Sequence, residues 1–172
     1  MILVSLGTHE QPFERALEIV APLAQEDSLV IQHGHTPPRT DVHASWIEFT
    51  TYDELVGLMS EAEAVVCHAG VGTIMSALGV GKCPIVVARR AQFGEHVDDH
   101  QLQIATTFAG RGIIVACSSP ASIVACLTKA RECASAGYER QGDLAAAVAA
   151  ATSAASARRG PGGIPDPGEQ RT

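Results

Sequence analysis

Six short apolar runs, separated by segments with helical spacing, constrain the fold of this chain more than any other feature. The runs do not alternate with polar residues, which is typical of strands buried on both faces of a parallel sheet. Between them, apolar residues recur at the spacing of amphipathic helices. The predicted strands are Ile2–Leu6, Leu29–Gln32, Trp46–Phe49, Ala64–Cys67, Pro84–Ala88 and Ile113–Cys117. With right-handed crossovers, this order predicts an α/β fold, a Rossmann-like, doubly wound parallel sheet of six strands.

Residues 1–137 contain every predicted strand and are expected to form one domain. The last helix of this domain is predicted to begin at Ser119-Pro120 and to stop near Gly137. Residues 138–157 are alanine-rich and indicate a further C-terminal helix. Residues 158–172 are rich in proline and glycine, which predicts a disordered tail.

Charge and cysteine content narrow the classes of function. The net charge is -7 and the 12 basic residues form no dense cluster, which argues against a nucleic-acid-binding surface. The 5 cysteines lie in apolar segments without zinc-finger spacing, which predicts reduced, buried thiols. The N-terminus has no basic leader, and no apolar run reaches the roughly 18 to 20 residues of a membrane span. A cytoplasmic protein is therefore expected.

A glycine-rich turn follows the fourth predicted strand and opens a helix. It reads H-A-G-V-G-T, with His68 at the end of the strand and Thr73 in the first turn of the helix. Glycine lets a ligand approach the backbone closely, and the first amides of a helix attract phosphate. The turn therefore indicates a diphosphate site, although a tight helix entry with a hydrogen-bonded histidine would give the same pattern.

The first loop, after Leu6, offers Gly7 and Thr8 to the same edge of the sheet. It is either a second contact to a diphosphate or an ordinary turn between a strand and a helix. The three-glycine dinucleotide fingerprint is absent, which argues against a nicotinamide or flavin enzyme. No Gly-Lys-Ser/Thr sequence follows the glycine turn, which argues against a P-loop nucleotidase.

A polar loop, G-E-H-V-D-D-H-Q, follows the fifth predicted strand. Asp99 and Gln101 are suited to hydrogen-bonding sugar hydroxyls, with Glu95 and His96 shaping the pocket. Alternatively, His96 and His100 are four residues apart and, with Asp99, could bind a metal ion. A solvated helix start is the third interpretation. A phosphate-binding turn next to side chains that hydrogen-bond hydroxyls favours a nucleotide-sugar site.

Three motifs together resemble one protein family. They are S-L-G-T-H-E-Q-P-F at the start, H-A-G-V-G-T, and R-R-A-Q-F-G-E-H-V-D-D-H-Q. The set resembles the C-terminal, donor-binding domain of family-28 glycosyltransferases, in which two Rossmann-like domains form the GT-B architecture. It is similar above all to stand-alone small subunits, those of bacterial capsular and exopolysaccharide synthesis and that of the dolichol-linked N-acetylglucosamine transferase. The resemblance covers residues 1–137 and implies one half of a GT-B architecture.

The resemblance also implies which residues bind the donor. The diphosphate would lie between the first loop and the glycine turn, in contact with Gly7, Thr8, His68, Gly70, Gly72 and Thr73. Uracil and ribose would contact Phe49, Thr50 and Ser76. Many relatives have a glutamate where this chain has the serine, which weakens that expected ribose contact. The transferred sugar would contact Glu95, His96, Asp99 and Gln101.

The function implied is that of a UDP-sugar-binding subunit of a two-component inverting glycosyltransferase, in polysaccharide or lipid-linked glycan synthesis. Its partner would be a membrane-associated subunit that binds a polyprenyl-diphosphate-linked acceptor and holds this chain at the inner face of the membrane. The catalytic base is expected on that partner, and no metal or other cofactor is expected. The alternative is a non-catalytic accessory protein that activates and stabilises such a partner. A sugar-nucleotide epimerase would need two complete domains, more than 172 residues provide.

Overall fold

The computed structural model describes residues 1–25 and 27–135. The six strands within these residues are β1 (Ile2–Ser5), β2 (Leu29–Gln32), β3 (Ser45–Ile47), β4 (Ala64–His68), β5 (Ile85–Val87) and β6 (Val115–Ala116). The α-helices are α1 (Glu14–Val20), α2 (Tyr52–Glu61), α3 (Val71–Gly79), α4 (His100–Gly110) and α5 (Ile123–Ser135). Short 3-10 segments cover Ala21–Gln25, Ala91–Phe93 and Pro120–Ser122.

The strands form one parallel sheet in the order β3-β2-β1-β4-β5-β6. The order reverses between β1 and β4, which pair in register from Ile2 opposite Ala64 to Ser5 opposite Cys67. In open α/β sheets, ligands bind beyond the carboxyl ends of the strands at such a switch point. The predicted fold class is confirmed, and the loops after β1 and β4 open into the crevice that this topology creates.

Both faces of the sheet are covered, which explains why the strands read as continuous apolar runs. In β1, Ile2 and Val4 pack toward α1 and α5, whereas Leu3 packs toward α2, α3 and α4. All three of these side chains are fully buried. Within the described residues, no helix has the length and apolar character needed to cross a bilayer.

Local signals placed some helix ends correctly and missed others. The Thr51–Glu54 capping box is present and starts α2, as predicted. Helix α4 begins at His100, whereas the helical spacing had included Val97, whose side chain is 77% exposed. Strand β6 covers Val115–Ala116, whereas Ile113–Cys117 was predicted. The predicted stop at Gly137, the alanine-rich helix and the tail lie outside the described residues.

The cysteines differ from the expectation of uniformly reduced thiols. Cys83, before β5, forms a disulfide with Cys133 near the end of α5, so the expectation is wrong for this pair. The Cα atoms are 5.9 Å apart, within the range that a disulfide spans. Cys67, Cys117 and Cys126 are free and buried, and burial raises the pKa of the Cys67 thiol to about 12.

Candidate functional site

The imidazole of His68 lies between two glycines at the switch point. A Cβ atom on Gly70 would be 2.3 Å from Nε2 of His68. A Cβ atom on Gly7 would be 2.7 Å from Cε1 of the same ring. Gly7 also has φ +78°, a conformation that favours glycine. The structure therefore brings together three of the predicted diphosphate residues, from neighbouring loops that are far apart in sequence.

His68 is neutral near pH 7 in this environment. Burial and, to a lesser degree, the charge of Arg89 lower the pKa of His68 to about 4. Its Nδ1 lies 3.4 Å from the carbonyl oxygen of Ser5. Because a carbonyl oxygen only accepts hydrogen bonds, this contact favours the tautomer with its proton on Nδ1. Nε2, the atom next to Gly70, then carries the lone pair.

The N-terminus of α3 is the second element of the crevice. Gly70 is its N-cap residue and supplies no side-chain hydrogen bond. The amides of the first turn, which includes Gly72 and Thr73, therefore lack a side-chain cap and carry the partial positive charge of a helix start. Thr8, on the opposite loop, is exposed. This arrangement suits an anion lying between the two loops.

Gln101 links the glycine turn to the strand beside it. Its Oε1 accepts hydrogen bonds from the backbone amides of Ala69 and Arg89, each at 3.2 Å. The side chain is buried, although it was predicted as a direct sugar contact. With the oxygen committed to two amides, the NH2 group is the part of Gln101 suited to donate to a ligand.

Arg89 is a central residue of the site that sequence analysis missed. Its guanidinium donates to the carbonyl oxygens of Leu6 at 3.0 Å, Gln11 at 2.7 Å and Glu95 at 3.1 Å. It also lies over the ring of Phe13, 4.6 Å from the centroid, and its side chain is 1% exposed. Burial lowers the pKa of Arg89 to about 10, so it stays charged at pH 7. The available sequence signal was a charged residue directly after a buried strand.

Glu95 was predicted among the sugar contacts, but its carboxylate is engaged within the protein. The Oε1 and Oε2 atoms accept hydrogen bonds from Arg15 at 2.9 and 2.7 Å. Oε2 also accepts from the backbone amide of Arg90 at 2.9 Å, and the residue is buried. These contacts fix the loop after β5 against α1.

Asp99 is the most accessible member of the predicted sugar set, whereas the side chain of His96 is largely buried. One carboxylate oxygen of Asp99 accepts from the amide of Ala91 at 2.9 Å, and the side chain is 46% exposed. The ring of His96 lies between those of His9 and His100, tilted against the first and edge-to-face with the second, with centroid distances of 4.4 and 4.5 Å. Burial and the neighbouring histidines lower the pKa of His96.

The predicted uracil and ribose residues are distributed over two places. Phe49 is 47% exposed after β3, and the Thr50 hydroxyl donates to Glu54 at 2.8 Å. Ser76 instead lines a groove of about 490 Å³ between α2 and α3. There its hydroxyl donates to the Gly72 carbonyl at 3.0 Å and lies 3.3 Å from the hydroxyl of Tyr52.

Tyr52 was not singled out from the sequence. It is 68% exposed and lines the groove beside Ser76, so an aromatic face stands next to a predicted ribose contact. Its position directly after the capping residue Thr51 was the only signal available.

The pKa of His68 predicts how stability depends on pH. The free energy of unfolding should fall as pH drops from 6.5 to about 4, because in this window the unfolded chain takes up a proton at His68 and the folded chain does not. The stabilisation from His68 is complete above pH 6.5 and lost below about pH 4. The slope from one proton is at most about 1.4 kcal/mol per pH unit. Urea unfolding at several pH values in this range should show that the free energy of unfolding depends less on pH in His68→Gln, but not in His43→Gln. The same pH dependence in the wild type and in His68→Gln would contradict the assignment.

Known proteins resemble this chain in sequence and in fold. It is 39% identical over 121 residues to the UDP-N-acetylglucosamine transferase subunit ALG13 of Yarrowia lipolytica, a match that covers 61% of this chain and 58% of the relative. The chain thus matches little more than half of that protein. Its fold is similar to the crystal structure of the glycotransferase of kitacinnamycin, with a TM-score of 0.55 and 23% identity, over 91% of this chain and 41% of the other.

The family assignment rests on a match over most of the sequence. Residues 1–156 match the glycosyltransferase family 28 C-terminal domain. The motifs that carry the resemblance in the sequence lie in the loops after β1, β4 and β5, which meet around His68, Arg89 and Gln101. The chain belongs to glycosyltransferase family 28 and carries its C-terminal domain.

Proposed function

We propose that this chain is the UDP-sugar-binding subunit of a two-component inverting glycosyltransferase. The observation that carries the proposal is the placement of His68 between Gly7 and Gly70, beside the uncapped start of α3 at the topological switch point. A diphosphate would lie against the start of α3, where helix amides meet its charge, while the two glycines leave room for the imidazole beside it.

The chemical role of the crevice is to stabilise the leaving group. As the bond between the sugar and the diphosphate breaks, negative charge grows on the diphosphate oxygens, and the amides of the first turn of α3 are oriented to donate to them. His68 is neutral in the unliganded protein. An adjacent diphosphate favours the imidazolium form, so donor binding would bring a proton onto Nε2 and make it a second donor to the leaving group. When the leaving group is stabilised in this way, the transfer does not require a metal ion.

The remaining parts of the donor fall on either side of the diphosphate. The groove with Tyr52 and Ser76 offers an aromatic face and a hydroxyl to the nucleoside, and Phe49 and Thr50 were predicted for the same role. On the other side, Asp99 and the NH2 group of Gln101 would bind hydroxyls of the sugar, with His96 beside them.

The acceptor and its base belong, in this proposal, to a membrane-associated partner that presents a polyprenyl-diphosphate-linked glycan. Such a partner would hold this chain at the cytoplasmic face of the membrane, in polysaccharide or lipid-linked glycan synthesis. The relative from Yarrowia lipolytica is described as a subunit of a UDP-N-acetylglucosamine transferase, which supports the two-component proposal. It also makes UDP-N-acetylglucosamine the first donor to test.

Calorimetric titration of the full chain with UDP and with UDP-N-acetylglucosamine tests donor binding. We expect saturable 1:1 binding below about 1 mM, the usual range for enzyme substrates. Gln101→Ala should weaken it at least about tenfold, because the amides of Ala69 and Arg89 lose their shared acceptor. Gln25→Ala, at an exposed position in the 3-10 segment after α1, is the matched control.

Two outcomes of this titration would count against the proposal. No heat at millimolar UDP or UDP-sugar would favour the accessory role, in which the partner carries the donor site as well. Equal affinities in the wild type and Gln101→Ala would show that the donor binds elsewhere.

A further inference from the structure

Three side chains at the start of α4 form a cluster next to the proposed sugar contacts, and two of them, Asp98 and His100, have no role in the proposed transfer. Potential metal-ligating atoms of His96, Asp98 and His100 lie within 4.8 Å of one another. The sequence had suggested His96 and His100 with Asp99 instead. The structure replaces that third residue by Asp98, because a carboxylate oxygen of Asp99 is bonded to the amide of Ala91.

The cluster is organised around a single carboxylate oxygen. Oδ1 of Asp98 lies 3.3 Å from Nδ1 of His96 and is hydrogen-bonded to Nδ1 of His100. The backbone amide of Asp98 donates to Nδ1 of His96 at 3.3 Å, so that nitrogen carries a lone pair rather than a proton. In a tetrahedral site with bonds of about 2.1 Å, two ligand atoms are about 3.4 Å apart. The separation between His96 and Asp98 is that of such a site, and the ligand atoms of all three residues lie within 4.8 Å of one another.

We propose that His96, Asp98 and His100 bind a divalent transition-metal ion, with Zn²⁺ as the best match. Two imidazole nitrogens and one carboxylate oxygen suit zinc, nickel or copper better than magnesium or calcium, which prefer oxygen ligands only. The remaining coordination positions would be open to water or to another ligand. Binding through the two Nδ1 atoms displaces the hydrogen bond between Asp98 and His100, with release of the proton on Nδ1 of His100, and the hydrogen bond that the Asp98 amide donates to Nδ1 of His96.

The surroundings of the cluster are compatible with an ion. Solvent reaches it, since the side chains of Asp98 and His100 are 58% and 40% exposed. His96 is held more firmly, with its side chain 9% exposed and its ring packed against that of His9. An ion here would fix the turn that leads into α4. Asp99 and Gln101 belong to this segment, so the ion would also restrict the residues proposed to contact the sugar.

Metal titration of the untagged full chain, first stripped with EDTA and then freed of the chelator, tests the proposal directly. We expect one equivalent of Zn²⁺ by calorimetry, and with Co²⁺ the visible absorption bands of a low-symmetry site with nitrogen and oxygen ligands. Asp98→Asn and His100→Ala should each weaken Zn²⁺ binding at least about tenfold. His43→Ala, at an exposed histidine before β3, should bind as the wild type does.

The readout is metal binding alone, so it does not depend on donor binding or on transfer. Absence of Zn²⁺ uptake at micromolar protein would overturn the proposal. Equal uptake by the wild type, Asp98→Asn and His100→Ala would do so as well, since the ion would then lie elsewhere. Circular dichroism should show the same helix content in all variants. If His100→Ala does not fold, Zn²⁺ binding by Asp98→Asn, which keeps the size of the side chain, tests the proposal by itself.

Discussion

Replacing Gly70 by alanine should weaken UDP binding at least about tenfold while the protein remains folded. The backbone at Gly70 has φ -77° and ψ 124°, which alanine adopts without strain. The added Cβ atom, however, would lie 2.3 Å from Nε2 of His68, so the imidazole has to move. Displacement by about 1 Å of a group that positions a reacting substrate can cost on the order of a hundredfold in rate. Calorimetry with UDP, and transfer assays with the reconstituted partner, measure both effects.

The chain offers a matched control for this substitution within the same helix. Gly79 is the last residue of α3, and a Cβ atom there would meet nothing within 4 Å. Gly79→Ala should therefore leave UDP binding unchanged. Gly7→Ala should be more disruptive than Gly70→Ala, because it combines the contact with His68 with a φ of +78°. Wild-type affinity in Gly70→Ala would show that the donor does not depend on His68.

The fold was predictable because its signals are local or repeat along the chain. Burial on both faces turns each strand into an apolar run, and the Thr51–Glu54 capping box requires only two side chains three residues apart. The start of α4 was less predictable. Val97 has the right spacing to belong to the helix, yet the polypeptide turns there to carry Asp99 to the Ala91 amide, and the valine stays exposed. A tertiary hydrogen bond, rather than propensity, decides where this helix begins.

The candidate site was only partly predictable for the same reason. That His68, Gly7 and Gly70 should meet followed from the Rossmann-like order, which places β1 beside β4 and so brings their carboxyl ends together. The role of Glu95 could not be read from the sequence, since its partner Arg15 is 80 residues away. A glutamate in a polar loop can face a ligand or an arginine of the protein, and only packing distinguishes the two.

The same packing makes Arg89 the residue on which the three loops depend. Its donors reach one carbonyl at the end of β1, one in the loop after β1 and one in the loop after β5. Its own backbone amide shares the oxygen of Gln101 with Ala69 of the glycine turn. The buried cation thus joins the loops after β1 and β5, and the backbone amide of the same residue joins them to the glycine turn through Gln101. Removal of the cation is expected to loosen the loops after β1 and β5.

Arg89→Met should lower the free energy of unfolding by about 3 kcal/mol, because the carbonyl oxygens of Leu6, Gln11 and Glu95 lose buried, charge-assisted hydrogen bonds. Methionine fills part of the volume of the arginine, so the loss reflects unpaired carbonyls more than a cavity. Arg89→Lys should recover only part of it, since a single ammonium cannot reproduce the fork of the guanidinium. Urea unfolding measures both variants, with Arg39→Met as the control, because Arg39 is partly exposed and pairs with the exposed Asp41. If Arg89→Met unfolds at the wild-type urea concentration, the guanidinium does not hold the loops after β1 and β5 together, and the donor site must be organised by Gln101 and the glycines.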